Sequence, residues 1–179
     1  EGREGMPDPA AGRTHFEFHA GESRIPEFAG APPVAGHSFT LSADATVPAG
    51  GGHGVLAAHG GRFGGYALYL DDGHLTFHYN ALTDRRYTVR AADKVGAGTH
   101  VLAARFRSDA PRARAGGTLT LSIDGRDVAS GRIEATLRRI SHTEGFDVGR
   151  DTLTPVSEDY TSAGSAFDGE LRSVSVDLD

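Results

Sequence analysis

Hydrophobic and polar residues alternate along most of this chain, which is the pattern of half-buried β-strands. Near the start, Phe16 and Phe18 alternate with the polar residues His15, Glu17 and His19. The same period recurs in short stretches that are separated by turn residues. From this alternation and from the even spacing of the turn residues we predict strands at 14–18, 37–47, 55–59, 66–70, 74–79, 86–90, 99–107, 117–123, 126–133 and 169–178.

Turn signals between these stretches indicate hairpin connections. The pairs Asp72-Gly73 and Asp124-Gly125 each lie between two predicted strands, and an Asp-Gly pair in that place is a strong hairpin signal. The glycine-rich run 60–65 also joins two strands and opens no helix. A tight turn is therefore favoured there over a phosphate-binding loop.

Helix signals are weak, because the best candidate, 133–140, is short and poorly capped. In the last strand the apolar phase shifts between Leu171 and Val174, which predicts a β-bulge. About ten to twelve short strands without intervening helices predict an all-β fold with an antiparallel double sheet, either a sandwich or a barrel. A two-sheet jelly-roll sandwich suits the length of 179 residues better.

Length and charge limit the class of protein. A chain of 179 residues is one domain long. Residues 1–12 are polar and show no periodicity, so we predict a linker or flexible arm there and the sandwich domain over 13–179. The net charge of -6 and the pI near 5.8 argue against nucleic acid and anionic membranes as partners. No signal peptide and no bilayer-spanning stretch is visible in the sequence.

Residues that carry catalysis in other proteins are absent or unsuitably spaced. Cysteine is absent, which excludes disulfides and thiolate nucleophiles. His15 and His19 lie too far apart along a strand to share a metal ion, although His59 and His78 could meet across a hairpin. The sequence has no G-x-S-x-G motif and few acidic residues within the predicted strands, which disfavours serine and glycoside hydrolysis. We assign no catalytic residue.

Acidic residues concentrate in the segment 144–160, which contains glycine and proline and is predicted to be a loop. Asp147, Asp151 and Asp159 offer hard oxygen ligands there, so one interpretation is a Ca²⁺ site. Arg150 lies among them. The rival interpretation, which we favour, is a structural clamp in which Arg150 bridges carboxylates and holds the loop against a sheet.

The same segment, FDVGRDTLTPVSEDY, resembles a C-terminal signature of large bacterial arylsulfatases. Other blocks resemble that family in the same order: GRTHFEFHAGESRIPE, HSFTLSADATVP, GHGVLAAHGGRFGGYALYLDDGHLTFHYN, GAGTHVLAARF, GGTLTLSIDGRDVASGRI and FDGELRSVSVDL. The resemblance covers about residues 12 to 179. It implies a concanavalin-like or laminin-G-like sandwich appended to a sulfatase catalytic domain. Leu153 departs from the pattern, because the family usually has glycine at that place.

In such sulfatases the catalytic domain carries a formylglycine, made from a C/S-x-P-S-R motif, and a Ca²⁺ held by Asp and Asn residues. This chain lacks that motif and has a single Asn, Asn80, so no catalytic residue carries over. The resemblance therefore implies a non-catalytic accessory domain whose partner is the sulfatase catalytic domain. It implies no cofactor within this chain beyond the Ca²⁺ considered above. It also implies a bacterial protein, located either in the cytoplasm or in the periplasm.

A different hypothesis is a lectin-like module that binds a glycan or a sulfated polymer, with or without Ca²⁺. The residues that we predict to contact a ligand or partner lie in the glycine-flanked hairpin and the acidic segment: Arg62, Phe63, Tyr66, Asn80, Arg150 and Tyr160. A structural interpretation assigns the same residues to turns and loop anchors. The absence of Trp weakens the glycan hypothesis, since sugar rings stack best on aromatic side chains.

Overall fold

The computed structural model describes residues 12–82, 84–140 and 143–179, so nearly all of the predicted linker lies outside the described residues. The described chain forms these strands: β1 (His15–Phe18), β2 (Phe39–Val47), β3 (Gly54–Gly61), β4 (Gly64–Asp71), β5 (His74–Asn80), β6 (Arg86–Lys94), β7 (Gly98–Ser108), β8 (Gly117–Ile123), β9 (Arg126–Ile133), β10 (Phe146–Val148) and β11 (Glu170–Leu178). Every predicted strand is present. Strand β10 is an addition, because the sequence pattern indicated a loop there.

The strands form two antiparallel sheets. Sheet A has the order β1-β11-β2-β7-β8-β9, and sheet B has the order β10-β3-β4-β5-β6. The predicted all-β, two-sheet sandwich is therefore confirmed. No helix occurs in the described ranges, and residues 134–140 of the weak helix candidate are turns and irregular chain. Within those ranges there is accordingly no helix that could cross a membrane.

Strand alternation places the main core between the two sheets. In β2 every second residue is buried, from Phe39 to Val47. Sheet B contributes Tyr66, Phe77 and Tyr79, whose rings are stacked in a row with 6.1 Å between the centres of Tyr66 and Phe77. Burying a large apolar side chain stabilises a fold by about 2 kcal/mol, so this layer is a main source of stability.

Part of the outer face of sheet B is buried as well. A separate apolar cluster lies there and consists of Val55, Ala58, Ala67, Tyr69, Val156 and Tyr160. Its last two members belong to residues 149–165, which we call the covering loop. Every residue of β3 is buried, because this strand has the core on one side and the covering loop on the other. Strand β10 holds the start of this loop at the sheet edge by pairing with β3.

Local details agree with the turn and bulge predictions. Strand β11 shifts register against β2 between Leu171 and Ser173, where the bulge was expected. At the two Asp-Gly hairpins, Asp72 and Asp124 have positive φ values of 46° and 52°, and each following glycine has a φ of 80°. Two successive positive φ values are what a type I′ hairpin turn requires.

The first and last strands lie side by side in sheet A. His15 of β1 is paired with Asp177 of β11, and its imidazole Nδ1 is 2.6 Å from the Asp177 carboxylate. That hydrogen bond raises the pKa of His15. The amide of Leu178 donates to the carbonyl oxygen of Thr14 at 2.8 Å. Strand β1 therefore forms one edge of sheet A, next to the strand that ends the chain.

Candidate functional site

The covering loop is folded around a buried carboxylate. Asp151 is fully buried, and its Oδ2 accepts hydrogen bonds from the Val156 amide at 2.9 Å and from the Tyr160 hydroxyl at 2.5 Å. The Asp151 amide donates to Ser165 Oγ, which in turn donates to the Asp151 carbonyl oxygen. These bonds join the start, middle and end of the loop, so the loop has an internal core of its own.

Burial raises the pKa of Asp151 to about 7, while the hydrogen bonds from Tyr160 and Val156 oppose the shift. The charges of Asp147 and Glu144 raise it as well. Its Oδ1 atom is buried and has no hydrogen-bond partner within the described ranges. Asp151 is therefore a carboxyl group that can hold a proton near neutral pH.

Two further carboxylates hold the covering loop against sheet B. Asp147 Oδ2 accepts hydrogen bonds from the amide and hydroxyl of Thr152, at 2.8 and 2.7 Å, and its Oδ1 accepts one from the Arg24 amide at 2.7 Å. Glu144 accepts bonds from the amide and hydroxyl of Thr154, at 3.1 and 2.6 Å. Carboxylates therefore do hold the loop, but the donors that they bind are amides and hydroxyls and not the predicted guanidinium of Arg150.

The remaining residues of the predicted clamp and calcium site are exposed. Arg150 is exposed, so its guanidinium is not buried between the two carboxylates that hold the loop. Asp159 is also exposed, and its Oδ2 accepts a 2.5 Å hydrogen bond from the Tyr69 hydroxyl. Among the described residues, no three His, Asp or Glu side chains are grouped as a metal site. Calcium binding by Asp147, Asp151 and Asp159 stays a prediction.

The turn between β3 and β4, residues 61–64, projects from the sandwich and is called the hairpin tip below. Phe63 is 66% exposed there, and the guanidinium carbon of Arg62 lies 4.9 Å from the centre of its ring. The Arg62 amide donates to Thr154 Oγ1 at 3.0 Å, and the Arg62 carbonyl accepts from Asn80 Nδ2 at 2.9 Å. The tip is therefore anchored on both sides, to the covering loop and to β5.

Close backbone packing explains the glycines beside the hairpin tip. Gly60 and Gly65 are register partners in β3 and β4. A Cβ atom on Gly60 would lie 2.2 Å from the carbonyl oxygen of Gly64, and one on Gly65 would lie 2.1 Å from that of His59. No larger residue fits without moving backbone atoms, which supports the tight-turn interpretation of this run.

Several of the predicted contact residues are buried. Tyr66 is fully buried in the core, Asn80 is fully buried beneath the hairpin tip, and Tyr160 is 7% exposed inside the covering loop. These three side chains act as packing and anchoring groups in this structure, as the structural interpretation proposed. The predicted contact residues with exposed side chains are Arg62, Phe63 and Arg150.

Beyond the covering loop, the outer face of sheet B carries a strip of polar side chains. Six residues, paired across β5 and β6 in the sheet register, form this polar strip: Asn80 with Arg86, His78 with Thr88, and Thr76 with Arg90. Of these six residues sequence reasoning proposed only Asn80 as a contact residue, and it missed the strip as a whole. The signal that could have found it is a polar residue at every second position of both strands, opposite the apolar positions of the core.

His78 lies at the centre of the polar strip. Its Nδ1 is 2.8 Å from Thr88 Oγ1, whereas its Nε2 is buried and has no hydrogen-bond partner in the described part of the chain. Burial and, to a smaller extent, the charge of Arg86 lower the pKa of His78 to about 4, while Asp159 and Glu158 act in the opposite direction. At neutral pH the strip therefore contains an uncharged imidazole, and one of its two nitrogens has no hydrogen-bond partner among the described residues.

Arg86 connects the polar strip with the covering loop. Its Nη1 donates to the Val156 carbonyl oxygen at 3.3 Å, and its Nη2 lies 3.8 Å from the Glu158 carboxylate. Asn80 Nδ2 lies 3.5 Å from the same Val156 oxygen. One carbonyl group of the loop thus contacts two neighbouring residues of the strip.

His59 and His78 do not meet, so the hairpin interpretation of this pair is wrong. Strand β4 lies between their strands, and their register partners on it, Tyr66 and Ala67, face opposite sides of the sheet. His59 enters the core, where its ring centre is 5.7 Å from that of Tyr66 and 5.9 Å from that of Phe146. Burial lowers its pKa to about 3.

An open cleft of about 600 Å³ lies at a different place, between residues 35–38 and 108–113. The Ser108 amide donates to Ser38 Oγ at 2.9 Å, which joins the two loops. None of the predicted contact residues lines this cleft.

Comparisons with known proteins identify a fold and no family. No protein-family model matches the chain, and no curated protein matches it. A Ruminococcus gnavus IT-sialidase CBM40 domain bound to α2,3-sialyllactose is similar in structure, with a TM-score of 0.62 and 16% identity, over 92% of this chain and 89% of that one. The same domain bound to α2,6-sialyllactose gives a TM-score of 0.57 and 14% identity over 92% and 89%.

Domains LG4-5 of the mouse laminin α1 chain are also similar, with a TM-score of 0.51 and 11% identity. That match covers 93% of this chain and 40% of the laminin chain. The chain therefore has a CBM40-like and laminin-G-like β-sandwich, which confirms the predicted concanavalin-like, laminin-G-like fold. None of these comparisons links it to sulfatases.

Proposed function

We propose that this chain is a lectin-like carbohydrate-binding module and that the polar strip beside the covering loop is its binding surface. The observation that carries the proposal is His78, whose buried Nε2 has no partner in the described ranges although it lies among hydrogen-bonding side chains. A buried polar atom without a partner is costly in free energy. Because Nε2 is buried, a sugar hydroxyl reaches it only when a side chain above it moves, and the bond so formed would remove that cost.

The chemistry around His78 suits sugar hydroxyl groups, which both donate and accept hydrogen bonds. Thr88 is exposed and offers a hydroxyl, while Glu158 and Asp159 on the covering loop offer exposed carboxylate oxygens. Arg86 offers charged donors and is already oriented by the Val156 carbonyl group. Charged hydrogen bonds are stronger than neutral ones, so these groups can hold a neutral or an anionic sugar.

The fold supports this proposal through its structural similarity to a CBM40 domain. The CBM40 domain, which is similar over nearly the whole chain, is described as bound to sialyllactose. A sandwich of this kind can therefore carry a sugar-binding surface. The two domains are 16% identical, so we test this chain with sugars of several classes.

Isothermal titration calorimetry tests the proposal with three probes: α2,3-sialyllactose, a chondroitin sulfate hexasaccharide and cellohexaose. We expect at least one of them to bind the wild-type chain. Thr88→Ala should weaken that binding about tenfold, since it removes one hydrogen-bonding group and the partner of His78. Thr120→Ala, on sheet A, is the matched control and should bind as the wild type does.

Titrations in EDTA and in Ca²⁺ would show whether the ion takes part. Absence of binding at millimolar concentration for all three probes would overturn the proposal. A Thr88→Ala variant that binds with unchanged affinity would remove the polar strip as the site.

The accessory role beside an arylsulfatase catalytic domain, implied by the sequence blocks, stays a prediction. It is compatible with sugar binding, because a carbohydrate-binding module can be joined to a catalytic domain. An upstream reading frame that encodes a C/S-x-P-S-R motif would support it. The chain by itself is expected not to hydrolyse nitrophenyl sulfate, and turnover that persists through repurification would contradict a non-catalytic role.

A further inference from the structure

Phe63 is the most exposed large apolar side chain in the described part of the molecule, at 66%. A guanidinium lies against its ring, with the Arg62 carbon 4.9 Å from the ring centre. This contact occupies one face of the ring, and the high exposure leaves the other face available to a ligand. An exposed phenyl ring of this kind offers the flat apolar surface on which the C–H face of a pyranose can pack.

The backbone that carries Phe63 is held on both sides by side chains from other elements. Asn80, fully buried, donates to the Arg62 carbonyl group, and Thr154, itself bound to Glu144, accepts from the Arg62 amide. A flexible turn could fold its aromatic ring back onto the sandwich. This turn is fixed with the ring outward, which lowers the ordering cost of binding.

Two further exposed leucines occur on the turns to which the hairpin tip is connected. Leu82 follows Asn80 by two positions and is 55% exposed, and Leu153 precedes Thr154 and is 51% exposed. Both have left-handed backbone conformations, with φ values of 69° and 63°. Such a conformation is sterically unfavourable for a residue other than glycine. Backbone strain of this kind is found preferentially at binding sites.

The hairpin tip is continuous with the polar strip. Asn80 is the register partner of Arg86 at one end of the strip, and it also bonds the Arg62 carbonyl of the tip. The Val156 carbonyl oxygen lies within 3.5 Å of nitrogens of both Asn80 and Arg86. The Arg86 end of the strip and the Arg62 backbone of the tip are therefore connected through Asn80 and the Val156 carbonyl group.

We propose that the strip and the hairpin tip bind one oligosaccharide chain together, with one sugar ring in hydrogen-bonding contact with the strip and a later ring stacked on Phe63. This inference rests on the proposed function and deepens it, because it assigns the ligand a minimum length and an apolar contact. A monosaccharide can satisfy the strip alone. An oligosaccharide gains the second contact on Phe63.

Phe63→Ala tests the inference with the three calorimetric probes and with their mono- or disaccharide units. The variant should lose roughly three- to tenfold in affinity for the longer probe and should bind the short unit as the wild type does. Phe28→Ala is the matched control, because Phe28 is also exposed and also lies under an arginine, with Arg139 at 4.9 Å. It should leave both affinities unchanged.

A second variant gives a signal from the ring itself. The chain contains no Trp, so Phe63→Trp introduces a single indole at the tip. We expect its emission to shift to shorter wavelength when the longer probe binds, and to remain unchanged with the short unit. An emission maximum that does not shift when the longer probe binds would overturn the stacking contact.

The outcomes separate this inference from the proposed function. Binding that Thr88→Ala weakens and Phe63→Ala does not would overturn the inference and leave the proposed function standing. Absence of binding by all probes would overturn both. If sedimentation shows a dimer that Phe63→Ala converts to a monomer, the tip is a contact between copies of the chain, and the stacking proposal is wrong.

Discussion

The hydroxyl of Tyr160 donates a 2.5 Å hydrogen bond to Asp151 Oδ2 in the interior of the covering loop. Both residues are almost completely buried, and only eight residues of the same loop separate them in sequence. Tyr160 also contacts sheet B, since its ring centre lies 5.2 Å from that of Tyr69. The loop's internal bond and its contact with the sheet thus involve the same side chain.

Tyr160→Phe removes the hydroxyl and keeps the ring. We expect the free energy of unfolding to fall by about 1 to 3 kcal/mol, because Asp151 Oδ2 loses one of its two donors in a buried site. Chemical denaturation measures the change. Arg150→Ala is the control, and a loss of less than about 0.5 kcal/mol is expected from its exposed position. If Arg150→Ala lowers the free energy of unfolding more than Tyr160→Phe does, the interpretation of Arg150 as the clamp is supported instead.

His59 should make the fold sensitive to acid. Its pKa is about 3 in the folded chain, whereas an unfolded histidine titrates near 6.5. Between these values the unfolded chain binds the additional proton, so the contribution of His59 to stability falls as the pH falls through this window, whereas Asp151, with its pKa raised to about 7, contributes in the opposite direction. His59→Phe should flatten the dependence, although His78, with its pKa also lowered, keeps a slope of the same sign.

Denaturation at pH 7 and pH 5 tests this expectation. The control is His53→Gln, because His53 is exposed and its bond to Asp168 comes from the backbone. This variant should retain the wild-type difference between the two pH values. An equally steep dependence in His59→Phe would contradict a buried, uncharged His59.

Gly60 and Gly96 form a matched pair for testing the backbone near the hairpin tip. Gly60→Ala places a Cβ 2.2 Å from the Gly64 carbonyl oxygen at a φ of 91°, and should destabilise the fold by about 2 kcal/mol or more. A Cβ on Gly96 meets nothing within 4 Å, so Gly96→Ala should be neutral or slightly stabilising. Thermal unfolding compares the two, and equal melting temperatures would refute the close packing of β3 on β4.

The backbone strain at Leu153 can be measured by comparing two substitutions that shorten its side chain. Leu153→Gly and Leu153→Ala both remove the exposed side chain, but only glycine accepts the φ of 63° without steric cost. The glycine variant should therefore be more stable than the alanine variant by about 1 kcal/mol, the reverse of the usual order. Greater stability of the alanine variant would mean that this turn has no left-handed residue at 153.

Alternation together with the spacing of turn residues was sufficient to predict most of the fold. The strands of sheet A have one face toward the core and one toward solvent, as in β2, so the period of two is visible in the sequence. Strand β3 shows no such period, because both of its faces are buried. Strand β10 could not be recognised, since its three residues are all buried and too few to show a period.

The candidate site was harder to predict than the fold. Phe63 and Arg62 were identified because glycines flank them, whereas Tyr66 is directed into the core by its position in β4. The face that a residue occupies depends on register, which the sequence did not specify. The position of His78 could not be predicted for the same reason, since its place opposite Thr88 depends on the pairing of β5 with β6.

The pairing of β1 with β11 has a consequence for how this domain can be combined with others. Neighbouring strands are about 5 Å apart, so a polypeptide that enters at residue 15 and leaves at residue 177 does so through almost the same point. Such a domain can be inserted within a surface loop of a host protein, as well as appended to it, without separating the two ends of that loop. A short linker between residues 13 and 179 should likewise permit circular permutation with new termini at an exposed turn.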